Sequence, residues 1–472
     1  MLRVSYSNTM AERVGEDHGL TGREWKDALA THGSLCRTLR ERRQAGQLAF
    51  LDLPNDQKTP SRILDFARRR AGQIHHVILI GTDGSSLGAA ALVAALGCPV
   101  SCRSGPAPAR RQVRPAPPPC FHLLDHVDPE ETQALLSSID PSRTLVHVVS
   151  PSGETAGAIS AFLVFLDLLR QRLGKSWRSR LVVTTAPDAG FLGRLARKER
   201  LETFDLPAGV CGRFAALSPA GMLPAALAGI DIRKLLAGAD RMESICSRTR
   251  AEDNPAFVAA LLHHLLHTRR GKTEAVFLPF ARALRGTADW FAHLWNASLG
   301  CGMTPPGKAD RPGPTVIRVR SASGTPAASR PLAVTLHDRL AVFVETERFR
   351  TDLEIPPLDP DDESTAFLGG QTLGRLVHEE KRGLEAILAD AGTPSYTLRL
   401  PAIAPDTVGE LIYFLQAQTA FAALLYGIDG FDQPGPDPVE TAVAALLGRK
   451  GLGETRRSLE RRFGEGGKYV VD

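Results

Sequence analysis

The stretch VILIGTDGSSLGAAALVAAL at residues 77–96 limits the folds open to this chain more than any other. A β-branched run ends at Gly81, the chain turns through Gly84-Ser85-Ser86, and an alanine-rich helical run follows Gly88. Strand, glycine/serine turn and helix in that order make one βα unit of an α/β fold. Such a turn aims backbone N–H groups at an anion beside a helix N-terminus, and the Ser85 and Ser86 hydroxyls add further donors. A phosphorylated small molecule is the natural ligand, although a purely structural βα turn has the same outline in many α/β folds.

At 472 residues the chain exceeds one compact core, so two or three domains are expected. Its 57 basic and 52 acidic residues leave a formal charge of +5 that is dispersed along the chain, which argues against a nucleic-acid partner. The seven cysteines (Cys36, Cys98, Cys102, Cys120, Cys211, Cys246 and Cys301) form no CxxC pair, as expected of a reduced, cytoplasmic protein without a zinc framework. The polar start MLRVSYSNTMAERVGEDHG lacks the apolar core of a signal peptide. No uninterrupted apolar run approaches membrane-spanning length, so a soluble protein without a membrane partner is expected.

Residues 21–47 have helical spacing, with Trp25/Leu29 and Leu35/Leu39 as i, i+4 pairs, and 51–71 continue in that style with Arg68-Arg69-Arg70 on a solvated face. Residues 103–120, rich in Pro and Arg, read as an exposed excursion. A strand at 144–149 (TLVHVV) then runs into Ser150-Pro151-Ser152-Gly153-Glu154-Thr155, a helix starts at Ala156, and a further strand occupies 180–185. Alternating strands and helices require a parallel, three-layer arrangement, and both hydroxyl-rich turns should meet at the C-terminal edge of its sheet, where α/β folds bind ligands. From Ile230 the pattern restarts, with strands at 273–280, 340–346 and 396–400 and a long helix at 407–426 ending at Gly427. The expected fold is two three-layer α/β/α domains with parallel sheets. Its expected divisions are an N-terminal helical segment at 1–47, domains at 48–235 and 236–448, and a helical tail at 449–472.

The turn Gly81-Thr82-Asp83-Gly84-Ser85-Ser86-Leu87-Gly88-Ala89 resembles the GIGGSSLGA motif of the shorter bacterial phosphoglucose isomerases, which are built from two sugar-isomerase (SIS) domains. The 150–155 turn is similar to their SKSGTT, and Cys211-Gly212-Arg213-Phe214-Ala215-Ala216-Leu217-Ser218 to their GGRFSVLS. GMLPAALAGIDIRKLLAGA, ADWFAHLWNASLG, FLGGQTLGRL and FDQPG follow in the same order, so the likeness runs from about residue 20 to 448. It implies interconversion of aldose and ketose 6-phosphates, glucose 6-phosphate and fructose 6-phosphate, through a cis-enediolate. It implies no cofactor, no metal, and a homodimer in which each site is completed by the neighbouring subunit.

The resemblance puts Gly84, Ser85, Ser150, Ser152 and Thr155 at the phosphate, Arg213 at the oxyanion and Gln433 against the substrate. It also exposes losses. Proton transfer alpha to a carbonyl needs a base, and ring opening needs an acid. The family's base is the Glu of AESLGK, matched here by Asn296-Ala297-Ser298-Leu299-Gly300-Cys301, so that position holds Ala297. The family's DQHS histidine is missing from 305–335, where Ala328-Ser329 is the nearest counterpart, and Glu440 stands where the Lys after FDQPG belongs. In the phosphate turn Pro151 replaces a Lys and Glu154 a Thr. An inward Glu154 would repel a phosphate charge about 4 Å away by roughly 1 kcal/mol in water and roughly 4 kcal/mol at an effective dielectric near 20.

His293, one helical turn before Ala297, is a substitute for the lost base or else a half-buried helix histidine. Glu154 and Glu440 are further substitutes or else solvated loop residues. His263, His264 and His267 have metal-ligand spacing but no nearby carboxylate, which favours a packing role. Ordinary isomerase activity is therefore expected to be absent or very weak. The two function classes are an isomerase, impaired or of altered substrate, and a phosphosugar-binding or regulatory protein without catalysis.

Overall fold

The computed structural model describes residues 1–82, 84–97, 118–187, 189–300, 313–319, 338–357, 361–429, 431 and 438–464. Gln433, Ala328-Ser329 and most of the 103–120 excursion lie outside these residues.

The N-terminal segment is not wholly helical, as had been expected. Arg3–Ser5 is a strand, β1, too short for its period to register in the sequence. The helices α1 (Gly22–Leu29), α2 (His32–Gln44) and α3 (Lys58–Arg70) follow. A capping box starts α1: Thr21 Oγ1 accepts from the Glu24 N–H at 3.3 Å, and the Glu24 carboxylate accepts from the Thr21 N–H at 2.9 Å.

The first sheet is fully parallel. It comprises β2 (His76–Ile80), β3 (Cys120–Leu124), β4 (Thr144–Val149), β5 (Leu181–Thr185) and β6 (Glu202–Asp205) in the order β3-β2-β4-β5-β6. The helices between them are α4 (Gly84–Leu96), α5 (Pro129–Ser138), α6 (Ala156–Leu173) and α7 (Gly190–Glu199). From β2 the chain crosses to one side and from β4 to the other, so a switch point opens where these neighbours end. Ile80 is registered with Val148, which brings both hydroxyl-rich turns to that point.

Helices α8 (Pro219–Leu227), α9 (Ile232–Cys246) and α10 (Pro255–Arg270) lead to β7 (Glu274–Pro279) and α11 (Arg285–Leu299). The second sheet adds β8 (Thr315–Arg318), β9 (Arg339–Arg348) and, after α12 (Leu373–Asp390), β10 (Ser395–Ala402). Its order is β1-β10-β9-β7-β8, parallel except for β1, which pairs antiparallel with β10. The Glu410 carboxylate accepts from the Leu2 N–H at 2.8 Å and holds this edge in place. The expectation of parallel sheets therefore needs one correction, since the N-terminus adds an antiparallel strand to the second.

Side chains alternate across each strand and divide the apolar residues into layers. Val77 and Leu79 of the first sheet share one large cluster with Phe277, Val342 and Leu398 of the second, so the two sheets are built on a common core. Ile78, Ile80, Val146 and Val148 face the other way, onto Phe162 and Phe165 of α6. Val276, Leu278 and Phe343 do likewise beneath Leu384 and Leu388 of α12.

The helix α13 (Pro405–Tyr426), 22 residues long, is by length and composition able to cross a membrane, although Asp406, Glu410, Gln416 and Gln418 interrupt its apolar run. It is largely apolar because it is enclosed: 89% of its apolar window is buried inside the protein. Two short helices, α14 (Pro438–Leu446) and α15 (Gly453–Gly464), end the described chain.

Candidate active site

Each turn folds around its own hydroxyls. Ser85 Oγ donates to the Thr82 carbonyl at 2.8 Å and Ser86 Oγ to the Gly81 carbonyl at 2.7 Å, which closes the first turn onto α4. In the second, Ser150 Oγ accepts from the Gly153 N–H at 3.1 Å and lies 3.3 Å from Thr155 Oγ1. Ser152 Oγ accepts from the Glu154 N–H at 3.2 Å and lies 3.4 Å from Thr155 Oγ1. Gly153 has a φ of +64° and a Cβ there would stand 2.3 Å from the Ala189 carbonyl oxygen, so the turn requires glycine twice over.

The loop at 211–214 closes on both turns. A Cβ on Gly84 would lie 2.5 Å from the Cα of Arg213, and one on Gly212 would lie 3.3 Å from Ser85 Cβ and 3.5 Å from Pro151 Cγ. Gly84, Ser85, the 150–155 turn and Arg213 are thus brought together, as the sequence had suggested. Burial pushes the neighbouring Cys211 thiol up, which keeps it protonated and unsuited to nucleophilic work.

Arg213 joins this assembly to α11. Its Nε donates to Ser298 Oγ at 3.0 Å, and its own carbonyl accepts from Trp290 Nε1 at 3.2 Å. Trp290, His293 and Ala297 stand at i, i+3 and i+7 of α11 and so share one side of the helix. His293 and Ala297 are both half-buried. Asn296 fixes the same helix to β8 through two hydrogen bonds with Val316, of 2.8 and 2.9 Å. Neither Ser298 nor Trp290 was singled out in the sequence. Their only signal was a helix with an indole and a hydroxyl eight residues apart.

Glu154 turns outward. Its carboxylate lies 3.9 Å from Arg194 of α7 and 3.5 Å from Arg449, beyond α14, and its side chain is 44% exposed. Glu440 lies on the exposed side of α14. The histidines of α10 are tied to aromatic partners, His263 Nε2 lying 2.9 Å from the Tyr396 hydroxyl and His267 Nδ1 3.1 Å from that of Tyr426. Among the described residues no three His, Cys, Asp or Glu side chains gather as a metal site.

The phosphoglucose isomerase family model matches residues 64–317. The glucose-6-phosphate isomerase of Carboxydothermus hydrogenoformans is 37% identical over 429 residues, covering 89% of either chain. That of Rubrobacter xylanophilus is 35% identical over 442 residues, 92% of this chain and 96% of the relative. Among solved structures, a hypothetical protein from Thermus thermophilus has a TM-score of 0.80 at 33% identity, over 95% of this chain and 100% of that one. A glucose-6-phosphate isomerase from Chlamydia trachomatis shares the fold, with a TM-score of 0.79 at 18% identity over 98% of this chain and 92% of that one.

Proposed function

Because the chain belongs to the phosphoglucose isomerase family, we propose that it binds a six-carbon sugar phosphate over the first sheet and that its aldose–ketose isomerisation is impaired. The observation that carries the proposal is the position of Arg213, with its backbone against Gly84 of the first turn and its guanidinium on Ser298 of α11. In this reading Gly84, Ser85, Ser150, Ser152 and Thr155 receive the phosphate. Arg213 faces the oxyanion of the enediolate, and the family likeness assigns Gln433 to the sugar.

The residue beside Ser298 is Ala297, and a methyl group takes no proton. A positioned general base is worth about 100- to 10,000-fold in rate. With Glu440 at the position of a cation, the arrangement retains groups that hold a ligand while lacking those that would move its protons. His293, half-buried on the Ala297 side of α11, is the residue to watch as a replacement base. The outward Glu154 supports phosphate binding, because its charge is answered by Arg194 and Arg449.

A coupled assay of glucose 6-phosphate turnover and a titration with 6-phosphogluconate, run side by side, test this. Binding with turnover at least about 100-fold below that of the Carboxydothermus relative is expected. Turnover comparable to that relative would overturn the impairment, and absence of binding would overturn the phosphosugar reading. An isomerase of altered substrate would instead turn over a different sugar phosphate.

The family likeness also supports a cytoplasmic homodimer without a cofactor. Sedimentation of the purified chain at twice its monomer mass is the expected result for the dimer. We further propose the division into residues 1–47, 48–235, 236–448 and 449–472, with β1 and the shared core joining these parts.

A further inference from the structure

The two turns that would receive a phosphate carry acid and no base: their ionisable side chains are Asp83 and Glu154. Arg213 is bound to Ser298, on the side of the oxyanion. A phosphate dianion at hydroxyls and N–H groups alone would gain no ionic partner from these turns.

The structure brings a cation to the 150–155 turn from elsewhere in the chain. After α14 the backbone reverses at Gly448, whose φ is +87°. The Arg449 N–H donates to the Ala444 carbonyl at 2.8 Å and the Gly448 N–H to the Ala445 carbonyl at 3.0 Å. This pair of bonds is a Schellman closure, and Arg449 is the residue it projects beyond the helix end. The main chain of Arg449 is therefore fixed while its side chain, 62% exposed, stays adjustable. Its Nη2 lies 3.5 Å from Glu154 Oε2. Among the described residues the other cation facing Glu154 is Arg194 of α7, 3.9 Å away and 68% exposed.

We propose that Arg449, delivered by the C-terminal segment and steered by Glu154, is the cation of the phosphate subsite. The inference rests on the phosphosugar reading above. Glu154 would then serve as a tether, holding a guanidinium at the rim of the turn. One edge of that planar fork faces the carboxylate and leaves other N–H groups for phosphate oxygens. Arg449 is a positioning and affinity residue in this scheme and has no part in proton transfer. The arrangement also couples docking of the tail to occupancy of the site, because the same ion pair joins α14 and α15 to the turn.

Calorimetric titration of the full chain with 6-phosphogluconate, inorganic phosphate and gluconate tests it, at low and at physiological ionic strength. Arg449→Ala should weaken both phosphorylated probes about fivefold at low salt and flatten their salt dependence. Arg449→Lys should retain part of the affinity, and gluconate should respond to neither change. In a Glu154→Gln background the Arg449→Ala change should cost less than in the wild type, because the steering is already gone. Equal 6-phosphogluconate affinity for Arg449→Ala and wild type would overturn the role of Arg449 alone. Strictly additive losses would overturn the steering by Glu154. Failure of the wild-type chain to bind 6-phosphogluconate would overturn the phosphosugar reading and this inference with it.

Discussion

Arg213 stands between two surfaces of unequal chemistry. On the sheet side, the turns at 81–86 and 150–155 are dense with polar atoms, the Ser85, Ser86, Ser150, Ser152 and Thr155 hydroxyls each lying against a neighbour and close approaches made possible by glycines. On the helix side, α11 is just as firmly held, by Asn296 on β8 and by Trp290 and Ser298 on Arg213, yet it offers a methyl group at Ala297. On the proposed reading, the site keeps its framework while its reactive groups change. In that reading, exchanging a carboxylate for a methyl group at a half-buried helix position would leave backbone and packing intact. Disturbing either turn would break bonds on which sheet, loop and helix all depend.

The most demanding test of this contrast supplies a carboxylate and a cation at two of the positions proposed to have lost their groups. Ala297→Glu combined with Glu440→Lys should raise glucose 6-phosphate turnover about 100-fold or more over the wild-type chain in a coupled assay, the lower end of what a placed base contributes. No increase would mean that the helix side has lost its geometry along with its base, and the contrast would fail.

Acid probes whether both surfaces rest on equally firm supports. Burial pushes His147, in β4 beneath the second turn, down to about 3 from an ordinary 6.5. Burial and then the charge of His267 do the same to His263, whose ring lies 4.7 Å from that of Trp295 on α11. Between those values the unfolded chain binds protons that the folded chain refuses, so stability present at neutral pH is lost as pH falls through the window. Lowering the pH from 7 to 5 should cost about 2 kcal/mol for each histidine, read from urea unfolding. His147→Gln should remove its share of that loss, and an unchanged pH dependence would contradict the assignment.

Smaller effects separate the two sides further. Gly84→Ala forces a Cβ against the Arg213 backbone, at 2.5 Å, and should cost about 1–3 kcal/mol in unfolding measurements while weakening 6-phosphogluconate binding. Ser298→Ala deprives the Arg213 guanidinium of its 3.0 Å partner and should weaken binding of a sugar-acid phosphate about five- to tenfold with little change in stability. If Ser298→Ala were instead the more destabilising of the two, the sheet side would not be the structural one.

Much of the scaffold could be read before it was seen. The strands TLVHVV, LVVTT and EAVFLP, the turns after β2 and β4, and the long helix ending at Gly427 all emerged where local pattern placed them. Other features stayed hidden because their partners are distant in sequence. Nothing in Arg-Val-Ser announces that it will pair with β10 nearly four hundred residues later. Ala297 could be read directly from the chain, whereas the bond from Arg213 to Ser298 required a loop and a helix to be placed in space.

Hydrophobic period and turn chemistry are properties of neighbouring residues, so the amino-acid order alone determined the βα units and the hydroxyl-bearing turns. Where Glu154 points depends on which cations the folded chain gathers around it. Only the tertiary structure decided that, by carrying Arg449 across the molecule and setting it beside Arg194, because an exposed carboxylate turns toward whichever positive charge packing leaves within reach.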